Sequence, residues 1–121
     1  MTGNRARNET ASVSNNATVS IVPGSSSPNN GRFFVPNILN VSAGTTVTRT
    51  NRDLTSYKSF EVEQLHTVTS GTLESRAIGT EFDSSFLGFG KTFQHSFNSS
   101  GTFDYFCTIH PFMTGKVVVS S

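Results

Sequence analysis

The most informative part of this sequence is residues 101–119, which read GTFDYFCTIHPFMTGKVVV. Phe103, Tyr105 and Cys107 alternate with other residues, which predicts a strand with these three side chains on one face. The β-branched run after Gly115 predicts a second strand. Between the two strands, one turn holds the only cysteine of the chain, a histidine and Met113, its only internal methionine.

The side chains of that turn are of the types that bind copper. A thiolate, an imidazole and a thioether suit a mononuclear electron-transfer copper ion, and such a site uses a second imidazole as well. His66, far upstream, can supply it from a distant strand. We therefore predict a metal site in which His66, Cys107 and His110 form a plane around copper and Met113 is the weak axial ligand.

Each of these residues also has an ordinary structural interpretation. Cys107 could be an inert buried thiol, and Met113 could simply fill the core. His66 could be a strand histidine without a ligand role, and two histidines with a cysteine also suit zinc. His95 shares a face with two phenylalanines of its strand, so we predict a hydrogen-bonded core histidine there rather than a ligand.

Composition predicts an all-β domain. The chain has 121 residues, enough for one domain with a real core. Thr, Ser, Val, Phe, Gly and Asn are plentiful, which favours strands joined by turns, and the spacing of the short segments predicts a Greek-key β-sandwich of about seven or eight strands. We expect residues 1–15 to form a flexible amino-terminal arm and residues 16–121 to form the copper-binding domain.

Two segments are harder to interpret. The stretch from Arg32 to Val41 is predicted to be extended, with Pro36 marking an edge or a bulge. The stretch from Leu54 to Leu65 could be a loop, a hairpin or one helical turn. Its position directly before His66 makes it important for the site.

Charge and hydropathy exclude two classes of partner. A net charge of +1, with 14% charged residues, argues against a nucleic-acid surface. No apolar stretch approaches the roughly 20 residues that span a bilayer, so we expect no direct membrane insertion. Asn-x-Ser/Thr sequons at Asn8, Asn16, Asn40 and Asn98 suggest export. We expect a periplasmic or extracellular location, with a signal peptide removed ahead of this sequence.

Residues 101–119 resemble the ligand loop and last strand of amicyanin and its plastocyanin-like relatives, the small blue copper proteins or cupredoxins, which include those of ammonia-oxidising archaea. The segments Gly44–Thr48, Asn51–Asp53 and His66–Val68 resemble the same family. This resemblance covers most of residues 17–121. It implies a cupredoxin-like sandwich with one type 1 copper, cycling between Cu(II) and Cu(I), at one end. It further implies that Thr67 and Thr108 tie the two ligand loops together.

Two features depart from that family. Arg49 stands where the family usually has an aromatic residue. The connection from Asn51 to His66 is several residues longer than in amicyanin, so it could shield the metal, admit water to it, or bring Glu61 or Glu63 to it as an oxygen ligand, which resembles the carboxylate-ligated nitrosocyanin.

The leading interpretation is a one-electron carrier rather than an enzyme. The resemblance implies redox protein partners that dock weakly near His110, on apolar surface formed by Pro111 and Phe112. The alternative is a small copper oxidoreductase, in which an open coordination position admits a small-molecule ligand, a nitrogen oxide such as nitric oxide. Copper storage or delivery is disfavoured because a clamp across two strands does not readily exchange its metal.

Overall fold

The structure is a computed structural model that describes residues 15–57, 60–75 and 77–121. Its regular structure is almost entirely β. The strands within these ranges are β1 (Asn16–Ile21), β2 (Phe34–Val35), β3 (Ile38–Ser42), β4 (Thr45–Asn51), β5 (Leu54–Tyr57), β6 (Phe60–Glu63), β7 (Thr69–Ser70), β8 (Thr92–Phe97), β9 (Gly101–Phe106) and β10 (Thr114–Ser120). The predicted arm of residues 1–15 lies outside the described residues, apart from Asn15.

Two four-stranded sheets form a sandwich. One sheet has the order β2-β1-β4-β8 and the other has the order β3-β10-β9-β7. Each sheet contains one parallel pair, β1 with β4 and β10 with β3, and its other pairs are antiparallel. The core lies between the sheets, where Val19, Val47 and Phe97 of the first sheet join Tyr105 and Val117 of the second in one buried cluster. The predicted all-β, cupredoxin-like sandwich is confirmed.

The strand count differs from the predicted seven or eight, since ten strands lie within the described ranges. The extended region around Pro36 is two strands in different sheets: β2 pairs with β1, whereas β3 pairs with β10. Proline has no N–H to donate, so the pairing stops there and the chain crosses to the other sheet. The unassigned stretch after Leu54 is a hairpin of β5 and β6, separate from both sheets.

Strand β4 shows how alternation positions the site. Its residues alternate between buried and half-buried from Thr45 to Asn51, so that Arg49 and Asn51 point inward. The Asn51 side-chain amide donates to the backbone oxygens of Gln64, at 2.7 Å, and of Leu87, at 2.8 Å. Gln64 lies two residues before His66, and Leu87 pairs with His66 across an isolated bridge. Asn51 therefore restrains both the segment that leads into His66 and the segment that pairs with it.

Candidate metal centre

The turn between β9 and β10 is closed by its own backbone. The backbone amide of Cys107 donates a hydrogen bond to the carbonyl oxygen of Met113 at 3.1 Å. The backbone amide of Met113 donates to the carbonyl oxygen of His110 at 2.9 Å. Cys107 and Met113 are fully buried, whereas His110 is partly exposed. The turn therefore directs its sulfur-bearing side chains inward and leaves its histidine at the surface.

His66 approaches this turn from the other side. Its Nδ1 lies 3.7 Å from the Sγ of Cys107, and the Nδ1 of His110 lies 3.8 Å from the same sulfur. One ligand atom from each residue falls within 4.8 Å of the other two. The tertiary structure thus brings together three of the four predicted site residues with their donor atoms converging.

Met113 occupies a position consistent with the fourth ligand. It is 0% exposed and belongs to the same core cluster as Cys107. Its place in the turn is set by the two backbone hydrogen bonds that also position Cys107 and His110. Its role as axial ligand remains a prediction.

The acidic residues named as alternative ligands lie elsewhere. Glu61 is exposed, and a carboxylate oxygen of Glu63 accepts a hydrogen bond from the amide of Phe89 at 3.0 Å. Neither belongs to the group of convergent donors. The hairpin that lengthens this connection is exposed along β6, so it does not deliver a carboxylate to the site.

His95 also lies outside the group of convergent donors, but it is half-buried and, among the described residues, has no hydrogen bond of the kind predicted for it. Its ring packs 4.8 Å, centroid to centroid, from the rings of both Phe82 and Phe97. Burial lowers the pKa of His95, and the nearby charge of Arg49 lowers it further. These contacts support a neutral histidine at the edge of the aromatic core.

The surroundings of Cys107 favour its thiolate. Burial by itself would raise the pKa of the thiol, but hydrogen bonds from His66, from the backbone amide of Thr67 and from His110 lower it to about 6. The Thr67 amide lies 3.3 Å from the sulfur. These surroundings therefore favour the thiolate of Cys107, which is the form that binds metal.

The two threonines expected between the ligand loops do connect them. The hydroxyl oxygen of Thr67 accepts a hydrogen bond from the Thr108 amide at 2.9 Å and lies 3.1 Å from the Thr108 hydroxyl. The Thr67 hydroxyl also lies 2.9 Å from that of Thr69. The loops that carry His66 and Cys107 are thereby held at a set separation without help from a metal.

A buried carboxylate behind His66 was not predicted from the sequence. Asp53 is 0% exposed, and one of its oxygens lies 2.7 Å from the Nε2 of His66. The Gly24 amide donates to its other oxygen at 2.7 Å. The hydroxyls of Ser25 and Ser26 donate to the carboxylate at 3.3 and 3.2 Å. In the sequence, Asp53 stands out only as part of the Asn51–Asp53 segment that resembles the cupredoxins, and nothing in the local pattern distinguishes it from a turn residue.

This carboxylate determines which nitrogen of His66 is free. An ionised carboxylate only accepts hydrogen bonds, so Nε2 carries a proton and donates to Asp53. Nδ1, which faces Cys107, is then the nitrogen that can bind a metal, and it gives up any proton it holds when the metal binds. Burial would raise the pKa of Asp53, but hydrogen bonds from His66 and Gly24 outweigh it and lower that pKa. Burial would lower the pKa of His66, but Cys107 and Asp53 together raise it. Histidine ligands are commonly oriented by such a carboxylate.

The donor set fits copper. A buried thiolate and two imidazoles on convergent nitrogens match the trigonal ligand set of electron-transfer copper sites, and for the same ligands affinity favours Cu(II) over Zn(II). One edge of the site reaches the surface, since His110 is partly exposed and its ring centroid lies 5.9 Å from that of the exposed Phe112. A second apolar residue of the turn, Ile109, is exposed beside them.

Comparison with known proteins gives the same picture. Residues 23–120 match the family described as copper binding proteins, plastocyanin/azurin family. The chain is 34% identical over 88 residues to amicyanin-alpha of Methylorubrum extorquens, a match that covers 73% of this chain and 64% of that relative. It is 36% identical over 81 residues to amicyanin of Paracoccus denitrificans, covering 67% of this chain and 53% of the relative.

A solved structure is also similar. The structure titled as a novel purple cupredoxin from Nitrosopumilus maritimus superposes with a TM-score of 0.72 at 32% identity, covering 86% of this chain and 99% of that one. The matches to the two amicyanins span less than two thirds of their length. No helix able to cross a membrane occurs in the part of the chain that the structure describes.

Proposed function

We propose that this chain, which belongs to the plastocyanin/azurin family of copper-binding proteins, transfers single electrons between redox partners through one bound copper ion. In this proposal His66, Cys107 and His110 are the strong ligands and Met113 is the axial ligand. When bound, copper supplies the Cu(II)/Cu(I) couple. The chain itself supplies the geometry, the exclusion of water and the exit to a partner.

One observation carries the proposal: the buried sulfur of Cys107 lies within 3.8 Å of the Nδ1 atoms of two histidines from separate parts of the chain. A depressed thiol pKa makes that sulfur available as thiolate. Soft sulfur with two imidazoles suits both oxidation states of copper.

Rigidity is the second requirement of such a carrier, because ligand movement between oxidation states slows electron transfer. Asp53 restrains His66 from behind, and the Thr67–Thr108 contact joins the two ligand loops. The backbone hydrogen bonds of the ligand turn restrain the remaining three predicted ligands, Cys107, His110 and Met113. All of these restraints come from the protein.

His110 is the proposed point of contact with redox partners. It is the partly exposed member of the convergent group, and the exposed residues Ile109, Pro111 and Phe112 surround it in the turn. Small apolar contacts of this kind suit weak, transient docking. The sequons and the polar surface support a periplasmic or extracellular location, which we include in the proposal.

The alternative of an oxidoreductase acting on nitric oxide gains no support. Met113 is fully buried beside Cys107, and the carboxylate of Glu63 is engaged with the amide of Phe89. The long connection before His66 forms an exposed hairpin.

The test is a visible and EPR spectrum of the protein loaded with one equivalent of Cu(II), compared across three variants. We expect strong thiolate-to-copper absorption that is lost in Cys107→Ser and altered in Met113→Gln. The control His95→Gln removes the histidine outside the site and should leave the spectrum unchanged. Reversible one-electron reduction of the wild type is also expected. Absence of the thiolate band in the wild type would refute the proposal.

A further inference from the structure

The side chain of Arg49 is an unusual feature of the core. It is 0% exposed and is the largest of the fully buried side chains. Within the described ranges, its Nε, Nη1 and Nη2 atoms make no hydrogen bond of good geometry, and neither does the buried hydroxyl of Tyr105. That hydroxyl is the polar group that acts on the guanidinium. A guanidinium stays protonated in proteins, so this position holds a positive charge in the dry interior without a carboxylate to balance it.

Three aromatic rings hold that charge. The Cζ of Arg49 lies 4.5 Å from the ring centroid of Tyr105, 5.2 Å from that of Phe82 and 5.6 Å from that of Phe97. These distances are within the range of cation–π attraction, which is strongest for desolvated cations. The rings offset part of the cost of burial, but they do not neutralise the charge. A buried polar group left in this state calls for an explanation.

The cage places Arg49 near the predicted ligands. Tyr105 stands two residues before Cys107 on β9, and both side chains belong to one buried cluster. Phe82 and Phe97, the other walls of the cage, are in the same cluster. All of these side chains are buried, so Coulomb interactions between them are screened less than they would be at the surface.

We propose that Arg49 is an internal charge that raises the reduction potential of copper held by His66, Cys107 and His110. The inference rests on the proposed electron-transfer function and extends it. A fixed positive charge destabilises Cu(II) more than Cu(I), because reduction removes one positive charge from the metal centre. No hydrogen bond or ion pair joins Arg49 to these three residues in the part of the chain that the structure describes, so in this proposal it acts through its field and leaves the coordination unchanged.

The experiment measures the midpoint potential of the copper-loaded Arg49→Met variant by protein-film voltammetry. Methionine has a similar volume and no charge. A unit charge about 10 Å from a metal, at an effective dielectric constant of about 20, changes a one-electron equilibrium roughly tenfold. In Arg49→Met we expect the equilibrium between Cu(II) and Cu(I) to shift about tenfold toward Cu(II), which is a midpoint potential about 59 mV lower than that of the wild type. The visible and EPR spectra should stay unchanged.

Lys91 offers a matched control because it is an exposed cation at the start of β8. Lys91→Gln also removes one positive charge, but solvent screens it, so its potential should stay close to that of the wild type. If both variants shift equally, net charge and not burial is responsible, and the proposal is wrong.

Two further variants cover the case in which Arg49→Met does not fold. Arg49→Phe is neutral and aromatic, like the residue that the related family usually carries there, and should lower the potential. Arg49→Lys keeps a cation at this position only at a pH low enough to protonate its buried amine, and at such a pH its potential should stay nearer to that of the wild type. A neutral variant with an intact thiolate–copper spectrum and an unchanged potential would overturn the inference about Arg49 alone. A wild type without that spectrum would remove the electron-transfer proposal and this inference with it.

A second readout needs no metal. The ring of His95 packs on Phe82 and Phe97, two of the rings that surround Arg49. The positive charge of Arg49 lowers the pKa of His95. Glu81 acts on His95 in the opposite direction. Removing the guanidinium should therefore raise the pKa of His95 in an NMR titration, and Lys91→Gln should not. An unchanged His95 pKa in Arg49→Met would show that the field of Arg49 does not act across the aromatic cage, and it would overturn the inference.

Discussion

Replacing Asp53 by asparagine tests how the protein holds His66. The substitution keeps the side-chain shape and removes the charge that accepts the Nε2 proton of His66 across 2.7 Å. An asparagine side chain can present an N–H group to that ring, so the tautomer with a free Nδ1 is no longer enforced. We expect copper to bind more weakly, although Asp53 is not a ligand.

The magnitude follows from the environment of the pair. Both side chains are 0% exposed, so solvent screening does not diminish the interaction. Partners that orient metal ligands are typically worth 10- to 100-fold in affinity, which is about 1.4 to 2.7 kcal/mol. A chelator competition titration at pH 7 measures this directly. The control is Glu61→Gln, which removes an exposed carboxylate from the neighbouring hairpin.

The metal-free protein adds a pH dependence. The pKa of Asp53 is lowered from 3.8, so its stabilising contribution is complete above that pH and is lost as pH falls through the folded-state value. The pKa of His66 is raised from 6.5, so its contribution is complete below that pH and is lost as pH rises through its folded-state value. The stability difference between wild type and Asp53→Asn should therefore be largest between these two pH values.

Denaturant unfolding of both metal-free proteins across this range provides the measurement. Equal copper affinity, together with parallel stability curves from pH 3 to pH 8, would refute the role assigned to Asp53. If Glu61→Gln weakens copper binding by the same factor as Asp53→Asn, overall charge and not the contact with His66 is the cause.

Two further predictions concern a close packing contact and a hydrogen bond beside the predicted site. In Gly115→Ala the new Cβ would overlap the ring of Tyr105, so thermal unfolding should show that the free energy of unfolding falls by about 1 to 3 kcal/mol. The same substitution in a Tyr105→Leu background should lose less stability, and full stability of Gly115→Ala alone would contradict the contact. In Thr67→Val the Thr108 amide loses its hydrogen-bond acceptor, so we expect the free energy of unfolding to fall by about 1 to 3 kcal/mol while the thiolate–copper absorption band is retained. Loss of that band with unchanged stability would contradict this prediction.

Local pattern was sufficient to predict several parts of the structure. The alternation through Tyr105 and Cys107 correctly predicted β9, and the β-branched run after Gly115 predicted β10. The ligand turn between them was apparent because its three donor types lie within seven residues of sequence. The clean alternation of its strand correctly placed His95 beside aromatic rings, but the predicted hydrogen bond to it is not found among the described residues.

Long-range pairing was harder to infer. The strand break at Pro36 depends on which neighbours β2 and β3 find, and those neighbours are far apart in sequence. The hairpin after Leu54 carries no strong turn signal, so its form could not be chosen in advance.

The sequence by itself determined the all-β class, the copper-type donor set and the family resemblance, because these depend on residue identity and short-range periodicity. Only the tertiary structure decided that Asp53 lies behind His66 and that Arg49 is enclosed by aromatic rings. Both outcomes depend on contacts between residues distant along the chain, here 13 positions for Asp53 and His66. An aspartate at a strand end and an arginine within a strand look like surface residues until packing removes the water around them. Burial then turns their charges into strong and specific influences on the neighbouring site.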